Sequence, residues 1–250
     1  MGYSSFDPRV LPIFIFYIIL IGFVIFTTFK LIQKFSQKKK IAPLHLASVY
    51  IFFTLAVIVL AIGLAEAIIT GYYKEIYRIS LPLAYSLVVV ANDFLYLFAS
   101  HITNKWEKAL IPILIIGIVL IVMLFLPWNW WGYPREEYEG KIQIRLYTNI
   151  AFITFACVIY IMIAYLCYSI RLKSEDEVTR LGLNLLFYSM ISLILFFVMI
   201  LADNILIVVY KHPGYSEFLF FSWIFAFIFT ILSYLSLLMP EWLIKRIMKK

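Results

Sequence analysis

Seven stretches of 20 or more residues with almost no charge dominate this chain, and this pattern fixes its fold class. A helix needs about 20 apolar residues to cross the hydrocarbon core of a bilayer. The stretches cover residues 10–29, 46–65, 79–100, 109–128, 146–170, 181–202 and 218–239. Since 64% of the 250 residues are apolar, the sequence predicts a single all-α domain, a bundle of seven transmembrane helices.

Lysine and arginine are unevenly distributed between the two sets of loops. Of the 21 basic residues, 14 fall on the side of the C-terminus and 7 on the side of the N-terminus. Because cytoplasmic loops are the richer ones, we predict an outside N-terminus and an inside C-terminus. The excess of basic residues that gives the net charge of +7 lies in the loops and at the C-terminus. This distribution is explained by membrane orientation, so it does not predict a nucleic-acid partner.

Basic residues on the predicted inner side form two surfaces that face the membrane. After Pro240 ends the seventh span, residues 240–250 have the apolar and basic faces of a short amphipathic helix that lies on the inner leaflet. The predicted lipid-surface residues are Lys38, Lys39, Lys40, Lys245, Arg246, Lys249 and Lys250. Their expected partner is the lipid bilayer, and the alternative is a cytoplasmic protein.

Two local patterns bear on the sixth span. Ser174 and Glu177 have the spacing of a capping box, which predicts that Ser174 accepts from the first amides of that helix. A shift of 137 residues places residues 64–66 on residues 201–203 and Tyr73-Lys74 on Tyr210-Lys211. This match predicts a 3+1+3 parallel repeat, with the fourth span as the linker.

Asp93 is the most deeply placed acid of the chain. In its span, 14 uncharged residues precede it and seven follow it. A charge at the middle of a bilayer costs about 3 kcal/mol on insertion scales. We therefore expect Asp93 to face the bundle interior together with Asn92, either as a coupling or ion-binding group or as a polar contact between helices.

Glu66 and Asp203 lie at matching depth near the outer ends of the second and sixth spans. They lie either at the membrane interface or beside an outward-facing pocket. The candidate ligand-binding residues, chosen by depth, are Glu66, Asp203, Asn204, Tyr85 and Trp223, and further candidate wall residues are Tyr147, Asn149 and Tyr188. The ligand is left open.

Signatures of enzyme and cofactor chemistry are missing from the sequence. It contains no HExxH, no GxSxG, no P-loop and no Gly-rich dinucleotide turn. The seventh span has no lysine for a retinal Schiff base, and residues 129–145, the longest segment between spans, are too short for a soluble enzyme domain. We therefore predict no catalytic residue, no metal site and no cofactor.

Several features of the layout occur together. An aromatic turn with a lysine, Tyr72-Tyr73-Lys74, follows the second span, a polar third span ends in Phe98, and a Tyr-rich seventh span leads into the basic inner helix. This layout resembles the N-terminal seven-helix region of histidine kinases and related prokaryotic signalling proteins. The resemblance implies sensing of a ligand or a membrane state. Because the sequence ends at Lys250 without an output domain, we expect a separate cytoplasmic protein to carry the output.

The preferred interpretation is a receptor-like sensor or scaffold in the cell membrane of a prokaryote, without enzymatic activity. The alternative is a small-solute or proton-coupled carrier, in which Asp93 is the coupling acid. An intramembrane lipid-modifying enzyme is the weakest hypothesis, because no nucleophile, base and oxyanion set is recognisable.

Overall fold

Helices make up almost all of the described chain. The computed structural model describes residues 5–38, 41–103, 106–126, 129, 145–210, 212 and 215–247. Within these residues lie α1 (Leu11–Lys38), α2 (Ile41–Thr70), α3 (Glu75–Thr103), α4 (Leu110–Leu124), α5 (Leu146–Lys173), α6 (Glu177–Tyr210), α7 (Glu217–Leu238) and α8 (Glu241–Ile247). Seven of them, α1 to α7, are long and apolar enough to cross a membrane. The predicted all-α, seven-helix fold is confirmed, and the chain is an integral, multi-pass membrane protein.

The helix boundaries follow the predicted spans with two informative differences. α2 continues to Thr70 and α6 to Tyr210, so Glu66 and Asp203 lie inside helices rather than at their ends. α4 ends at Leu124, short of the predicted 128; Trp128 itself lies outside the described residues.

Several hydroxyl side chains inside the spans are satisfied within their own helices. The hydroxyls of Thr28, Thr54 and Thr230 each donate to the carbonyl four residues earlier, at 2.7 to 2.8 Å. Such bonds matter because the bilayer core offers no water as an alternative partner. They allow buried hydroxyls in these helices without a partner on a neighbouring helix.

Consecutive helices are neighbours in the bundle. α1, α2 and α3 pack in order, α5, α6 and α7 pack in order, and contacts of α1 with α7 and of α3 with α5 join the two sets. α4 packs outside, against α3 and α5, and its Ile111 and Ile118 are exposed on the bundle surface. The contacts thus divide the bundle into two sets of three helices and α4, and the parallel repeat stays a prediction.

The predicted capping box at Ser174 is wrong. α6 begins at Glu177, so Asp176 occupies the cap position and accepts the Thr179 amide at 2.8 Å and the Thr179 hydroxyl at 2.5 Å. Ser174 instead donates to the carbonyl of Asp176 at 3.4 Å. The helix starts too late for the Ser174 hydroxyl to reach its first amides.

The short helix at the C-terminal end of the bundle is confirmed over Glu241–Ile247. Met239, with φ of 44°, ends α7 and redirects the chain into α8. Lys245 and Arg246 are exposed, while Leu243 and Ile244 are half-buried, as expected for an amphipathic helix. Lys39, Lys40, Lys249 and Lys250 lie outside the described residues; Lys38 ends α1, and its side chain is not described.

Candidate functional site

A cavity of about 150 Å³ lies at the centre of the bundle. Its walls come from α1, α2, α3, α5, α6 and α7, and α4 contributes nothing to them. None of the described residues that line the cavity is charged. An engineered cavity of roughly this size with an apolar lining binds benzene, so the space suits a molecule with one six-membered ring.

Three polar side chains in the cavity wall lack hydrogen bonds to described residues. Trp223 on α7 is 5% exposed, and its indole Nε1 is buried without a partner. The Tyr17 ring on α1 meets the Trp223 ring edge-on, with centroids 4.5 Å apart. The Tyr85 ring on α3 stacks on Phe152 at 4.7 Å. The Tyr17 and Tyr85 hydroxyls can therefore donate to a bound molecule, whereas the indole N–H has no surface open to the cavity.

The inner wall of the cavity joins α2 to α7. The Tyr50 hydroxyl donates to the Ser233 hydroxyl, which itself donates to the Phe229 carbonyl at 2.6 Å. Tyr50 also stacks on Phe229, with ring centroids 6.2 Å apart. Since Tyr50 and Phe229 both line the cavity, the α2–α7 contact forms part of its wall.

Tyrosines close the cavity at the end where α3 and α7 begin, which we call the outer end after the charge-based prediction. The hydroxyls of Tyr77 and Tyr215 are hydrogen-bonded to each other, and both residues line the cavity. The Tyr73 ring lies beside them, tilted against the Tyr77 ring with centroids 4.6 Å apart and stacked on the Tyr215 ring with centroids 6.1 Å apart. Burial raises the pKa of Tyr215 well above its ordinary value, so this residue stays a neutral hydroxyl.

The backbone of Tyr215 is strained. Its φ of 54° lies in the left-handed region, which is a genuine outlier for a bulky residue. Strained residues persist where the surrounding structure holds them, and they cluster at ligand sites. Here the strained residue contributes its aromatic ring to the lining at the outer end of the cavity.

Glu66 and Asp203 hold the helices that carry these tyrosines. Glu66 Oε2 accepts the backbone N–H of Tyr77 at 2.9 Å. Asp203 Oδ1 accepts the backbone N–H and the hydroxyl of Ser216 at 2.9 and 2.6 Å. Each carboxylate thus satisfies a free amide at the start of the next helix. Neither acid lines the cavity, and a ligand-binding role for them stays a prediction.

The other candidates chosen by depth have different outcomes. Tyr85 and Trp223 line the cavity, whereas the Asn204 amide donates to the Ile200 carbonyl of its own helix at 2.9 Å. The assignment of Tyr147 and Tyr188 to the pocket wall is wrong, because both rings are exposed on the outside of the bundle. Asn149 is buried but is not among the lining residues either.

Asn92 and Asp93 face different helices, and their predicted association is wrong. Asn92 is fully buried, and its Oδ1 accepts the Tyr160 hydroxyl of α5 at 2.8 Å. Asp93 faces α4, where a methyl group added to Gly117 would lie 2.6 Å from Asp93 Oδ2. Adjacent helical residues point about 100° apart, so neighbours in sequence cannot share one partner here. The buried Asp93 Oδ1 has no hydrogen-bond partner in the described part of the chain.

Tyr17, Tyr77 and Tyr215 are among the cavity residues that the sequence did not reveal. Tyr17 stands in an uncharged span, and Tyr77 and Tyr215 lie close to the ends of spans, where aromatic residues are common in any membrane protein. One signal in the sequence could have identified Tyr77 and Tyr215. The predicted repeat pairs Glu66 with Asp203, and each acid is followed by the start of another helix, which is where these two tyrosines lie.

A metal site has no support in the described residues. The rings of His45 and His101 lie 5.9 Å apart at the inner end of the bundle. No group of three or more His, Cys, Asp or Glu residues there is arranged to hold an ion. Among the described residues, the central cavity is a well-formed candidate site for a small molecule.

Comparison with known proteins gives no further guidance. No protein-family model, no curated protein and no solved structure matches this chain. The functional conclusion therefore depends on the cavity and on the acids that support it.

Proposed function

We propose that the protein is a receptor-like membrane sensor without catalytic activity, and that a small molecule binds in its central cavity. The observation that carries the proposal is an aromatic cavity of about 150 Å³ whose described lining residues are uncharged and include Tyr17 and Tyr85. An apolar pocket with a few convergent polar groups is the usual form of a small-molecule site.

α7 connects the cavity to the inner end of the bundle. Trp223 lies in the cavity wall, and the helix continues to Leu238, about 22 Å away at a rise of about 1.5 Å per residue. On the way, the Ser236 hydroxyl donates to the Gly182 carbonyl of α6 at 2.7 Å, and Lys34 of α1 donates to the Leu237 carbonyl at 2.6 Å. A ligand that shifts α7 therefore changes contacts with both neighbouring helices.

The output end is the basic helix α8. It follows α7 directly after Met239 and Pro240 and also contacts α6. Its exposed Lys245 and Arg246 suit anionic lipid of the inner leaflet or an acidic surface of a cytoplasmic protein. A sensor of this kind in the cell membrane of a prokaryote requires that the ligand bind two bundle states unequally.

Thermal unfolding in lipid nanodiscs tests ligand binding. Neutral one-ring compounds are screened, since a ligand at 100 times its Kd stabilises by about 2.7 kcal/mol. Ala84 is buried in the cavity wall, so Ala84→Leu fills the space and should abolish the stabilisation. Trp242→Phe on the exposed face of α8 serves as the control. Equal stabilisation of wild type and Ala84→Leu, or no stabilisation by any compound, would contradict the proposal.

A fluorophore on α8 separates sensing from simple binding. It is attached at Lys245→Cys in a background from which Cys157 and Cys167 have been removed. A change in its emission on ligand addition, absent in Ala84→Leu, supports a sensor. Ligand binding without any change in emission at α8 would contradict the sensor and would favour a scaffold or a carrier.

A proton-coupled carrier is the second candidate, and Asp93 favours it. Its Oδ1 is buried inside a membrane span with no partner among the described residues, and intramembrane acids of this kind are common in proton relays. Uptake into liposomes that depends on a pH gradient and disappears in Asp93→Asn would favour the carrier. The control is Glu107→Gln, an exposed acid outside the core of the bundle.

A further inference from the structure

We infer that small uncharged molecules reach the central cavity from the inner end of the bundle, through a second cavity, and that the contact of Tyr50 with Ser233 is the gate between the two. This inference deepens the proposed function and rests on it for the role of the central cavity. It assigns a side to the signal, because the protein then samples molecules from the inner side of the membrane.

The second cavity lies at the inner end, between the end of α5 and the start of α6. Its volume is about 320 Å³, more than twice that of the central cavity. Its described lining extends along α6 from the buried Leu186 to the exposed Thr179, a distance of about 10 Å. The space therefore runs from the bundle interior to its surface, and we call it the inner cavity.

A narrow void connects the inner cavity with the central one. It has a volume of about 10 Å³, which is the space of a single water. It shares Leu186 and Leu237 with the inner cavity, and it shares Tyr50 and Phe229 with the central cavity. The three spaces thus follow one another along the bundle, with Tyr50 and Phe229 in the wall between the void and the central cavity.

This wall is held by one hydrogen bond between helices. The Tyr50 hydroxyl of α2 donates to the Ser233 hydroxyl of α7. The Ser233 hydroxyl donates in turn to the Phe229 carbonyl of its own helix, so it keeps a partner when Tyr50 moves away. Opening therefore breaks a single hydrogen bond and the stacking of Tyr50 on Phe229. The net strength of one such bond is modest.

The outer end of the central cavity is closed by more groups. Tyr77 and Tyr215 are hydrogen-bonded to each other, and the Tyr73 ring packs against both. Glu66 and Asp203 also hold the backbone at and beside these tyrosines. Three rings and two carboxylate contacts resist opening here, whereas one tyrosine closes the inner wall. The inner route is therefore the easier one.

Alkylation of a cysteine in the central cavity tests the route. Ala226 lines this cavity and is 7% exposed, so Ala226→Cys places a thiol in the wall, and Cys157 and Cys167 are replaced by serine. The probe is iodoacetamide, a small uncharged reagent, and its rate of reaction is measured by mass spectrometry in lipid nanodiscs. We expect labelling to be about tenfold faster in Tyr50→Phe and in Ser233→Ala, because loss of one hydrogen bond favours the open gate by that order.

Two matched variants identify the direction of entry. Tyr77→Phe makes the same change in the outer tyrosine pair and should leave the rate of labelling unchanged. Cys167 lines the inner cavity, so Cys167→Phe in place of Cys167→Ser fills part of that space and should slow labelling severalfold. If Cys167→Phe does not fold, the comparison of Tyr50→Phe with Tyr77→Phe decides.

The outcomes separate this inference from the proposed function. Labelling that Tyr77→Phe accelerates as much as Tyr50→Phe would overturn the inner route. A rate unaffected by Tyr50→Phe and Ser233→Ala, equal rates with phenylalanine and serine at Cys167, or no labelling in any variant would overturn it as well. None of these results changes the stabilisation of wild type by a ligand. Labelling by the inner route without any stabilising ligand would instead contradict the proposed function and leave the route intact.

Discussion

The hairpins α2–α3 and α6–α7 use an acid in the same way but build their turns differently. Glu66 near the end of α2 accepts from Tyr77 in α3, and Asp203 near the end of α6 accepts from Ser216 just before α7. The residues between the two helices are few in the first hairpin, which turns at Gly71 with φ of 73°. The second hairpin has a longer connection, which includes the strained Tyr215.

This difference separates what the two hairpins share from what they do not. The glutamate has one more methylene, is half-buried and reaches into the first turn of α3, whereas the buried aspartate reaches only the cap residue of α7. The shared property is a carboxylate that fixes the start of the next helix. As a result, Tyr77 and Tyr215, one from each hairpin, meet at the outer end of the cavity.

The largest effect is expected at Asp203. Asp203→Ala leaves the Ser216 amide and hydroxyl buried without their acceptor, so the free energy of unfolding should fall by about 2 to 3 kcal/mol. The measurement is unfolding in mixed micelles. Asn204→Ala is the control, because its amide bonds only within α6. An equal loss in the two variants would show that the Asp203 carboxylate has no special role.

A smaller effect is expected at Glu66. Glu66→Ala removes one hydrogen bond at a half-buried position, and the free energy of unfolding should fall by about 1 kcal/mol. Glu66→Gln keeps an acceptor oxygen at the same reach, so it should retain most of the stability. If Glu66→Ala destabilises the protein more than Asp203→Ala, the half-buried glutamate contributes more stability than the buried aspartate, which would contradict the prediction.

Depth in the membrane could be predicted from the sequence, but rotation about the helix axis could not. On α2, Ile62 is 53% exposed and Leu64 is 2% exposed, although both are aliphatic. Because lipid tails are as apolar as a protein interior, lipid-facing and buried positions carry the same residue types. The seven spans were therefore predicted correctly, whereas Tyr147 and Tyr188 were assigned to the wrong face.

The partners of polar groups also lay beyond the sequence. That Asp93 faces α4 depends on the space left by Gly117, and that Asn92 faces α5 depends on Tyr160. Neither partner is near in sequence. The repeat did predict that Glu66 and Asp203 are equivalent, because both copies place an acid near the end of a helix that a further helix follows.

The contact between the two hairpins is tested by a double-mutant cycle. Tyr77→Phe and Tyr215→Phe each remove one hydroxyl of the pair that joins α3 to the start of α7. The coupling energy of such a contact should be about 0.5 to 1 kcal/mol. The cycle is measured by unfolding, with Tyr17→Phe as the partner in a control cycle. A coupling of zero would show that the hairpins do not stabilise each other here.

The smallest effect is expected at the inner end, where Asp176 performs the same capping in water. The side chain and amide of Thr179 donate to this exposed carboxylate and hold its pKa below the ordinary value. Because the folded-state pKa is the lower one, Asp176 stabilises the protein fully above the unfolded-state pKa of about 3.9. This stability is lost as the pH falls through the lower, folded-state value.

The melting temperature of Asp176→Ala should therefore lie slightly below that of wild type at neutral pH, and the two should converge in acid. Glu175→Ala is the matched control, because the neighbouring Glu175 is exposed and forms no hydrogen bond with a described residue. A difference that persists below the folded-state pKa would assign the effect to helix propensity, since a capping carboxylate must lose its charge there. A carboxylate in water competes with solvent for the amides it caps, whereas Asp203, buried, has no such competitor.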